Sequence, residues 1–235
     1  MCGRYVSARN DHELRLLFEV ERRVGEALAP SYNIAPTQHV RIVREEAGGD
    51  GGAAVREMRN VRWGLLPVWA KDRRMASRLI NARSETVTDK PAFRAAATKR
   101  RCVLPADGYY EWQRTGGGKV PYYLHGPEEE ALAFAGLYER WADPDVGGDD
   151  PDRWVWTCTV LTRPASDSLG RIHDRAPVVL PMDMVGDWLD PEATAKERVR
   201  EILDAVPEPH LVPRRVGGAV GSPRNNDPSL LAEVG

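Results

Sequence analysis

The sequence predicts an α+β fold: a mainly antiparallel sheet that curls towards a barrel, with helices appended at its edges. Three observations support this prediction. Short apolar or alternating runs typical of strands recur along most of the chain. Glycine-rich runs stand between several of them, where hairpin turns are expected. Apolar residues at helical spacing are confined to a few short segments.

Helices are predicted near the N-terminus, in the middle of the chain and after residue 183. Asn10 and Glu13 form a capping-box pattern ahead of apolar residues at helical spacing, which predicts a first helix there. Pro91, shortly after Asp89, suits the first position of a helix that runs to about Lys99. Two later helix faces comprise Met184, Val185, Trp188 and Leu189, and Val199, Ile202 and Leu203.

Strands account for most of the remaining pattern. We predict them over residues 40–44, 55–66, 102–104, 109–112, 121–124, 132–138, 154–161 and 178–180. Glycine runs at 48–52 and 116–118 predict hairpin turns, and the loop before Trp154, which is rich in Asp, Gly and Pro, is expected to be mobile. No repeat or linker interrupts the pattern, so residues 1–235 are expected to form a single domain.

The composition is that of a soluble globular protein, with 42% hydrophobic and 29% charged residues. No apolar stretch approaches the ~18 residues of a membrane span, and the N-terminus lacks the pattern of a signal peptide. Cys2, Cys102 and Cys158 are odd in number and far apart, which argues against a disulfide framework and for a reducing compartment. We therefore expect a cytoplasmic protein, with Cys102 and Cys158 buried in strands. No CxxC or HxxxH spacing suggests a metal site.

Charge is unevenly distributed along the chain. Residues 56–101 contain 13 Lys and Arg against 4 Asp and Glu, although the formal net charge of the protein is only −2. A one-sided basic region of this kind indicates a surface for a polyanion. The alternative is a solvated, arginine-rich surface without a partner.

The N-terminal segment Met1-Cys2-Gly3-Arg4-Tyr5 offers unusual chemistry. Removal of Met1 would leave a cysteine whose α-amine, with a pKa near ~7.7–8.0, adjoins a thiol with a pKa near ~8.5. The amine can form a Schiff base with an aldehyde, and the thiol can close that imine into a thiazolidine. We expect this aminothiol to lie in a positively charged groove. The alternative is that Cys2 is an ordinary small core residue under the first strand.

Four further segments of the chain carry polar or aromatic residues in distinctive order. They are Tyr32-Asn33-Ile34-Ala35-Pro36, Ile80-Asn81-Ala82-Arg83-Ser84-Glu85, Gly108-Tyr109-Tyr110-Glu111-Trp112 and Ile172-His173-Asp174-Arg175-Ala176-Pro177. Together with the N-terminal segment, and in this order, they resemble the SRAP (SOS response-associated peptidase) family. The resemblance extends from Cys2 to residues 225–227, essentially the whole chain.

The resemblance implies a sensor of abasic sites in single-stranded DNA, including those at junctions with duplex DNA. Members of the family trap the ring-opened sugar through the N-terminal cysteine as a thiazolidine cross-link, which protects the lesion in the DNA damage response. The peptidase label reflects removal of the residue before that cysteine, either by the protein itself or by a separate aminopeptidase. The resemblance further implies a monomeric SRAP domain without a cofactor, associated with the nucleoid in a bacterium.

Four residues are predicted to perform this chemistry. Cys2 would supply both nucleophiles, and Glu111 would shuttle protons with a pKa raised by its apolar surroundings. His173 would exchange protons at the sugar, and Asn81 would orient the amine or a sugar oxygen. The alternatives are a salt-bridged strand residue for Glu111, a structural role for His173 and a turn residue for Asn81.

Five residues are predicted to bind DNA. Arg4 and Arg83 would hold phosphates through their planar guanidinium groups, and Trp69 would stack against a base. Asn33 and Pro36 would shape a loop with backbone groups near phosphate. Trp63, in contrast, is expected in the core.

One position departs from the family pattern. Many members carry a second aromatic residue directly after the position of Trp69, where this chain has Ala70. That difference bears on how the chain would stack at a duplex junction.

Three classes of function compete on these residues. The first is an abasic-site cross-linking enzyme, which would also be a lyase if its Schiff base underwent β-elimination. The second is an N-terminal-nucleophile amidohydrolase, since class II glutamine amidotransferases also begin with Met-Cys-Gly. Those enzymes generally continue with an apolar residue where this chain has Arg4. The third is a non-catalytic single-strand binder in which Cys2 is incidental.

Overall fold

Two β-sheets and a small set of short helices make up the part of the chain that the computed structural model describes, residues 2–48, 52–165 and 170–235. The strands are β1 Tyr5–Ser7, β2 Arg22–Val24, β3 Ser31–Ile34, β4 His39–Glu46, β5 Val55–Trp63, β6 Asn81–Arg83, β7 Arg101–Ala106, β8 Gly108–Thr115, β9 Gly118–His125, β10 Leu132–Ala142, β11 Trp154–Pro164, β12 Arg175–Pro177, β13 Val179–Leu180 and β14 Val212–Arg215. The helices are α1 Asp11–Leu17, α2 Arg94–Lys99, α3 Val185–Leu189 and α4 Lys196–Ala205.

The first sheet has the strand order β14-β9-β8-β1-β3, and its neighbouring strands are antiparallel. The second has the order β12-β11-β10-β7-β4-β5-β2, with β13 on β10 and β6 on β11. It closes on itself, because β5 also pairs with β11 in parallel through Arg62 with Thr157 and Trp63 with Cys158. The predicted α+β class with a curled sheet is therefore confirmed.

Both faces of β7, in the middle of the second sheet, are buried, which explains its apolar run. On β7, Val103 packs towards the helices, in a cluster that includes Trp188 of α3 and Val199 of α4. The alternate residues of β7, Cys102 and Leu104, face a cluster shared with the first sheet. As predicted, Trp63, Cys102 and Cys158 are fully buried.

Helix α1 begins as the sequence predicts. The Asn10 side chain accepts a hydrogen bond from the Glu13 backbone N–H, with 3.0 Å between the heavy atoms, and the Glu13 carboxylate accepts one from the Asn10 N–H at 2.9 Å. This capping box satisfies donors that the first helical turn leaves open.

The second predicted helix is wrong at its start. Pro91 lies in a turn, and α2 begins only at Arg94. The backbone N–H groups of both Phe93 and Arg94 donate to the carbonyl of Lys90, at 2.9 Å each, so the chain turns once before the helix forms.

The strand predicted over residues 55–66 ends earlier, at Trp63. Gly64 follows with a φ of +124°, a conformation that favours glycine. A Cβ at this position would lie 2.5 Å from the carbonyl oxygen of Ala76. The predicted turn at 48–52 lies partly outside the described residues.

None of the helices within the described residues has the length and apolar character needed to cross a bilayer.

We predict that Asn10→Ala lowers the free energy of unfolding by about 1 kcal/mol, because the helix loses its N-cap. Equilibrium urea unfolding measures this difference. Asn10→Ser is the matched control and should retain most of the stability, since serine also caps. Equal destabilisation by both substitutions would show that the cap is not the cause.

Candidate active site and nucleic-acid surface

Cys2 lies three residues before the start of β1, which is held between β3 and β8. Its side chain is fully buried among the residues that fill the space between the two sheets, including Tyr5 and Tyr109. The Cys2 side chain is therefore sealed from solvent, whereas the sequence led us to expect it in a positively charged groove. This burial belongs to the unprocessed chain, which still carries residue 1.

The environment of the Cys2 sulfur keeps its thiol protonated. Burial raises the pKa of this thiol well above its ordinary value, and the negative charge of Glu111 raises it further. The backbone N–H of Arg4 donates to the sulfur and opposes these effects. An ordinary core cysteine would also be buried, so a reactive role must rest on the groups around it.

Asn81 contacts Cys2 directly. It is the first residue of β6, which lies beside β11 with Asn81 opposite Val160. Its side-chain Nδ2 donates to the carbonyl oxygen of Cys2, with 2.8 Å between the two atoms. Its Oδ1 is buried and accepts no hydrogen bond from any described residue. Asn81 thus fixes the backbone of Cys2 and leaves an acceptor in the site.

Glu111 is buried on β8 and is only 5% exposed. It alternates with Tyr110 and Trp112, so it shares the strand face of Tyr109, which packs in the same cluster as Cys2. Burial raises the pKa of the Glu111 carboxyl to about 7, and the charge of Asp174 acts in the same direction. Glu111 can therefore both hold and release a proton near neutral pH.

His173 lies two residues before β12 and is partly exposed. Its Nδ1 accepts a hydrogen bond from the backbone N–H of Arg175, with 3.0 Å between the two nitrogens. Nδ1 also lies 2.8 Å from the Asp174 carboxylate. Burial lowers the pKa of His173 below its ordinary value despite this neighbour. Because Asp174 also acts on Glu111, the His173 segment borders the same site.

Arg4 and Asn33 bond to each other and to the C-terminal part of the chain. Arg4 Nη1 donates to Asn33 Oδ1 and to the carbonyl of Val220, at 2.9 Å each. The Asn33 amide donates to the carbonyls of Val220, Ser222 and Asn225. Asn33 is buried, and its side-chain amide is already occupied. That Asn33 shapes a loop whose backbone groups lie near a DNA phosphate remains a prediction.

The other predicted DNA contacts lie at the surface. Arg83 ends β6 and is exposed, and its side chain forms no hydrogen bond or ion pair with the residues that the structure describes. Trp69 is 52% exposed and borders a cavity of about 710 Å³ together with basic residues such as Arg78. Pro36 is half-buried after β3.

A further ion pair links two of the segments singled out in the sequence. Arg175 Nη2 donates to Glu85 Oε2 at 2.9 Å and to the carbonyl of Thr162 at 2.6 Å. The Arg175 guanidinium lowers the pKa of Glu85 to about 2. Both residues stand in quoted segments, but nothing in the sequence indicated that they pair.

The sequence is similar to a known protein family and to named relatives over nearly its whole length. The family model described as SOS response associated peptidase (SRAP) matches residues 1–223. Abasic site processing protein YoqW of Bacillus subtilis is 33% identical over 233 residues, covering 98% of this chain and 99% of YoqW. Abasic site processing protein HMCES of Gallus gallus is 31% identical over 270 residues, covering 100% of this chain and 78% of HMCES.

Solved structures share the fold. A crystal structure of a Bacteroides thetaiotaomicron protein aligns with a TM-score of 0.80 at 24% identity, covering 99% of this chain and 100% of that one. A second, from Bordetella bronchiseptica, aligns with a TM-score of 0.72 at 27% identity, covering 92% and 100% of the two chains.

The raised pKa of Glu111 predicts a pH-dependent effect of Glu111→Gln on stability. The folded protein holds the Glu111 proton up to about pH 7, whereas the unfolded chain releases it near 4.5, so the native glutamate loses stability as pH rises between these values. Glutamine does not ionise. The free energy of unfolding of Glu111→Gln relative to wild type should therefore rise by up to about 3 kcal/mol between about pH 4.5 and pH 7, at about 1.36 kcal/mol per pKa unit.

Urea unfolding at pH 5 and pH 8 measures this difference. Glu128→Gln, at an exposed position, is the control and should show no such trend. A Glu111→Gln difference that is constant with pH would refute the raised pKa.

Proposed function

The chain belongs to the SRAP family, and from this we propose that it captures abasic sites in single-stranded DNA as a thiazolidine adduct of Cys2. Relatives named as abasic site processing proteins support the lesion as substrate. The observation that carries the proposal is the grouping of Cys2 with the Asn81 amide and the Glu111 carboxyl, whose pKa is about 7.

The reaction begins once Met1 is removed. The neutral α-amine of Cys2 attacks the aldehyde carbon of the ring-opened sugar and forms a carbinolamine. Loss of water gives the imine, and the Cys2 sulfur then adds to the imine carbon while its proton passes to nitrogen. Aminothiol and aldehyde thus give thiazolidine and water, with no oxidant or cofactor needed.

Glu111 suits both proton transfers in this sequence. Its protonated form can donate to the departing hydroxyl of the carbinolamine, and its ionised form can take the thiol proton before the sulfur attacks. A pKa of about 7 keeps both forms populated at neutral pH. The thiol, whose pKa burial raises, needs such a base more than an exposed cysteine would.

Asn81 would keep the first residue of the processed chain in place. Its hydrogen bond goes to the Cys2 carbonyl, which is present before and after Met1 is removed. Its buried Oδ1 is an acceptor suited to the new α-amine. His173 would exchange protons at the sugar hydroxyls, through a partly exposed ring that contacts Asp174, whose charge acts on Glu111.

Arg83 would hold the phosphate next to the captured sugar. Asn81 and Arg83 stand two residues apart on β6, so their side chains leave the same face of the strand. The exposed Trp69 would support a base, and the basic segment around these residues would attract the strand. The protein would thereby bind the backbone without reading sequence.

Two further activities would use the same groups. The imine can lose the 3′-phosphate by β-elimination once a base removes a proton from the adjacent sugar carbon, which would make the protein an abasic-site lyase. Removal of Met1 by the protein itself would expose the aminothiol without a separate peptidase.

We predict that Cys2→Ala abolishes the cross-link. Purified protein, confirmed by mass spectrometry to lack Met1, is incubated with an abasic single-stranded oligonucleotide and run on a denaturing gel. The wild type should give a heat-stable shifted band. Cys158→Ala, which removes another fully buried thiol of the same cluster, is the matched control and should retain the band.

A band that persists in Cys2→Ala would contradict the proposal. Glutamine hydrolysis without a band would support the amidohydrolase. Salt-sensitive, reversible binding without a band would support the non-catalytic binder.

We further predict that Glu111→Gln slows cross-linking by about 100-fold or more, the usual contribution of a positioned acid or base. The rate at saturating DNA is measured between pH 5.5 and 8.5. Wild type should show a titration near pH 7 that the variant lacks, because glutamine does not ionise. Glu128→Gln should behave like wild type. An unchanged rate and pH profile would remove Glu111 from the mechanism.

A further inference from the structure

A second basic and aromatic surface borders a cavity of about 700 Å³ at the beginning of β11. We call it the Arg–Trp surface, and it consists of Arg59, Arg140, Trp154 and Trp156. The Arg59 guanidinium carbon lies 3.5 Å from the ring centroid of Trp156. The Arg140 guanidinium carbon lies 4.7 Å from that of Trp154 and 5.2 Å from that of Trp156. The sequence singled out none of these four residues individually, although Arg59 belongs to the basic segment 56–101.

Arg140 is the cation of this surface that is available to a ligand. Arg59 pairs with the buried Glu57 at 2.5 Å, whereas the Arg140 guanidinium forms no ion pair or hydrogen bond with any described residue. Arg140 is exposed, and Trp154 is 45% exposed. A guanidinium that stacks on a ring keeps its N–H groups in its own plane, where they can bind a phosphate through two hydrogen bonds.

The Arg–Trp surface is continuous with the proposed DNA surface. Val68, which is 63% exposed, lines the same cavity, and its neighbour Trp69 lines the cavity at the predicted base contact. Arg59 belongs to the basic segment 56–101. Aromatic rings on which bases can stack, together with positive charge, are the combination by which proteins hold single strands without regard to sequence.

We propose that the Arg–Trp surface binds the DNA strand that flanks the abasic site, with Arg140 on a phosphate. This inference rests on the proposed function. It extends that function by naming where the DNA next to the abasic site contacts the protein. Trp154 stands six residues before Val160, the β11 partner of Asn81. At about 3.3 Å per residue, that separation is roughly 20 Å along the strand.

This distance sets the length of DNA that can reach the surface. A stacked strand advances about 3.4 Å per nucleotide, so roughly six nucleotides separate the captured sugar from Arg140. An oligonucleotide with two nucleotides on either side of the lesion is therefore too short. One with ten on either side is long enough.

The test measures reversible binding by fluorescence anisotropy, with single-stranded oligonucleotides of 5 and 21 nucleotides that carry a tetrahydrofuran analogue of the abasic site at their centre. The analogue has no aldehyde, so no covalent product forms, and two or ten nucleotides extend on either side of the lesion. Arg140→Ala should weaken binding of the 21-mer roughly 10-fold, as expected for loss of a charged hydrogen bond. It should also reduce the slope of log affinity against log salt by about 0.7, the value for one phosphate on a single strand.

Arg198→Ala is the matched control, because it removes one exposed arginine from α4, outside the cavity. Affinity for the 21-mer that is equal in Arg140→Ala and Arg198→Ala would overturn the inference. So would equal losses by Arg140→Ala on the 5-mer and the 21-mer. Weaker binding of duplex DNA with unchanged binding of the single strand would overturn it as well.

The proposed function fails on a different result. It fails if the protein forms no covalent product with oligonucleotides of either length that carry an abasic site in place of the analogue. The flanking contact fails on the reversible affinities alone, so the two failures are distinguishable.

Discussion

The hydrogen bond from Asn81 Nδ2 to the carbonyl of Cys2 is the constraint on which the site depends. A chain terminus is ordinarily among the most mobile parts of a protein. Here the first strand, only three residues long, is paired on both sides, and Asn81 holds Cys2, three residues before the strand begins. A terminal nucleophile fixed in this way would lose little freedom when it reacts, which favours intramolecular ring closure over release of the aldehyde.

Burial gives the site its second property. Removing Glu111 from water raises its pKa into the range where a carboxyl group can both donate and accept a proton, while the same burial keeps the Cys2 thiol protonated. The two effects are complementary, since a protonated thiol needs a nearby base and a carboxyl group with a pKa of about 7 can serve as one. The fold tolerates a carboxyl group that destabilises it when ionised, as residues at functional sites often do.

Local patterns were predictable from the sequence, whereas contacts between distant residues were not. The capping box at Asn10 could be read from residues three apart, and the strand patterns gave the fold class. The helix start predicted at Pro91 was wrong because the fixed φ of proline suits a turn as well as a first helical turn. The resemblance to a family singled out Asn81 and Cys2 together, but only the structure shows that one bonds to the other's backbone. Asn33 fastens the C-terminal segment, a role that no local pattern reveals.

The parallel pairing of β5 with β11 has a consequence for biosynthesis. Arg62 and Thr157 are nearly a hundred positions apart, so the second sheet cannot close until about two thirds of the chain has left the ribosome. Until then Asn81 has no β11 to lie against. A cysteine that became N-terminal on the nascent chain would therefore meet the aldehydes of the cell before the folded site surrounds it, and an initiator methionine retained until folding is complete would block its amine.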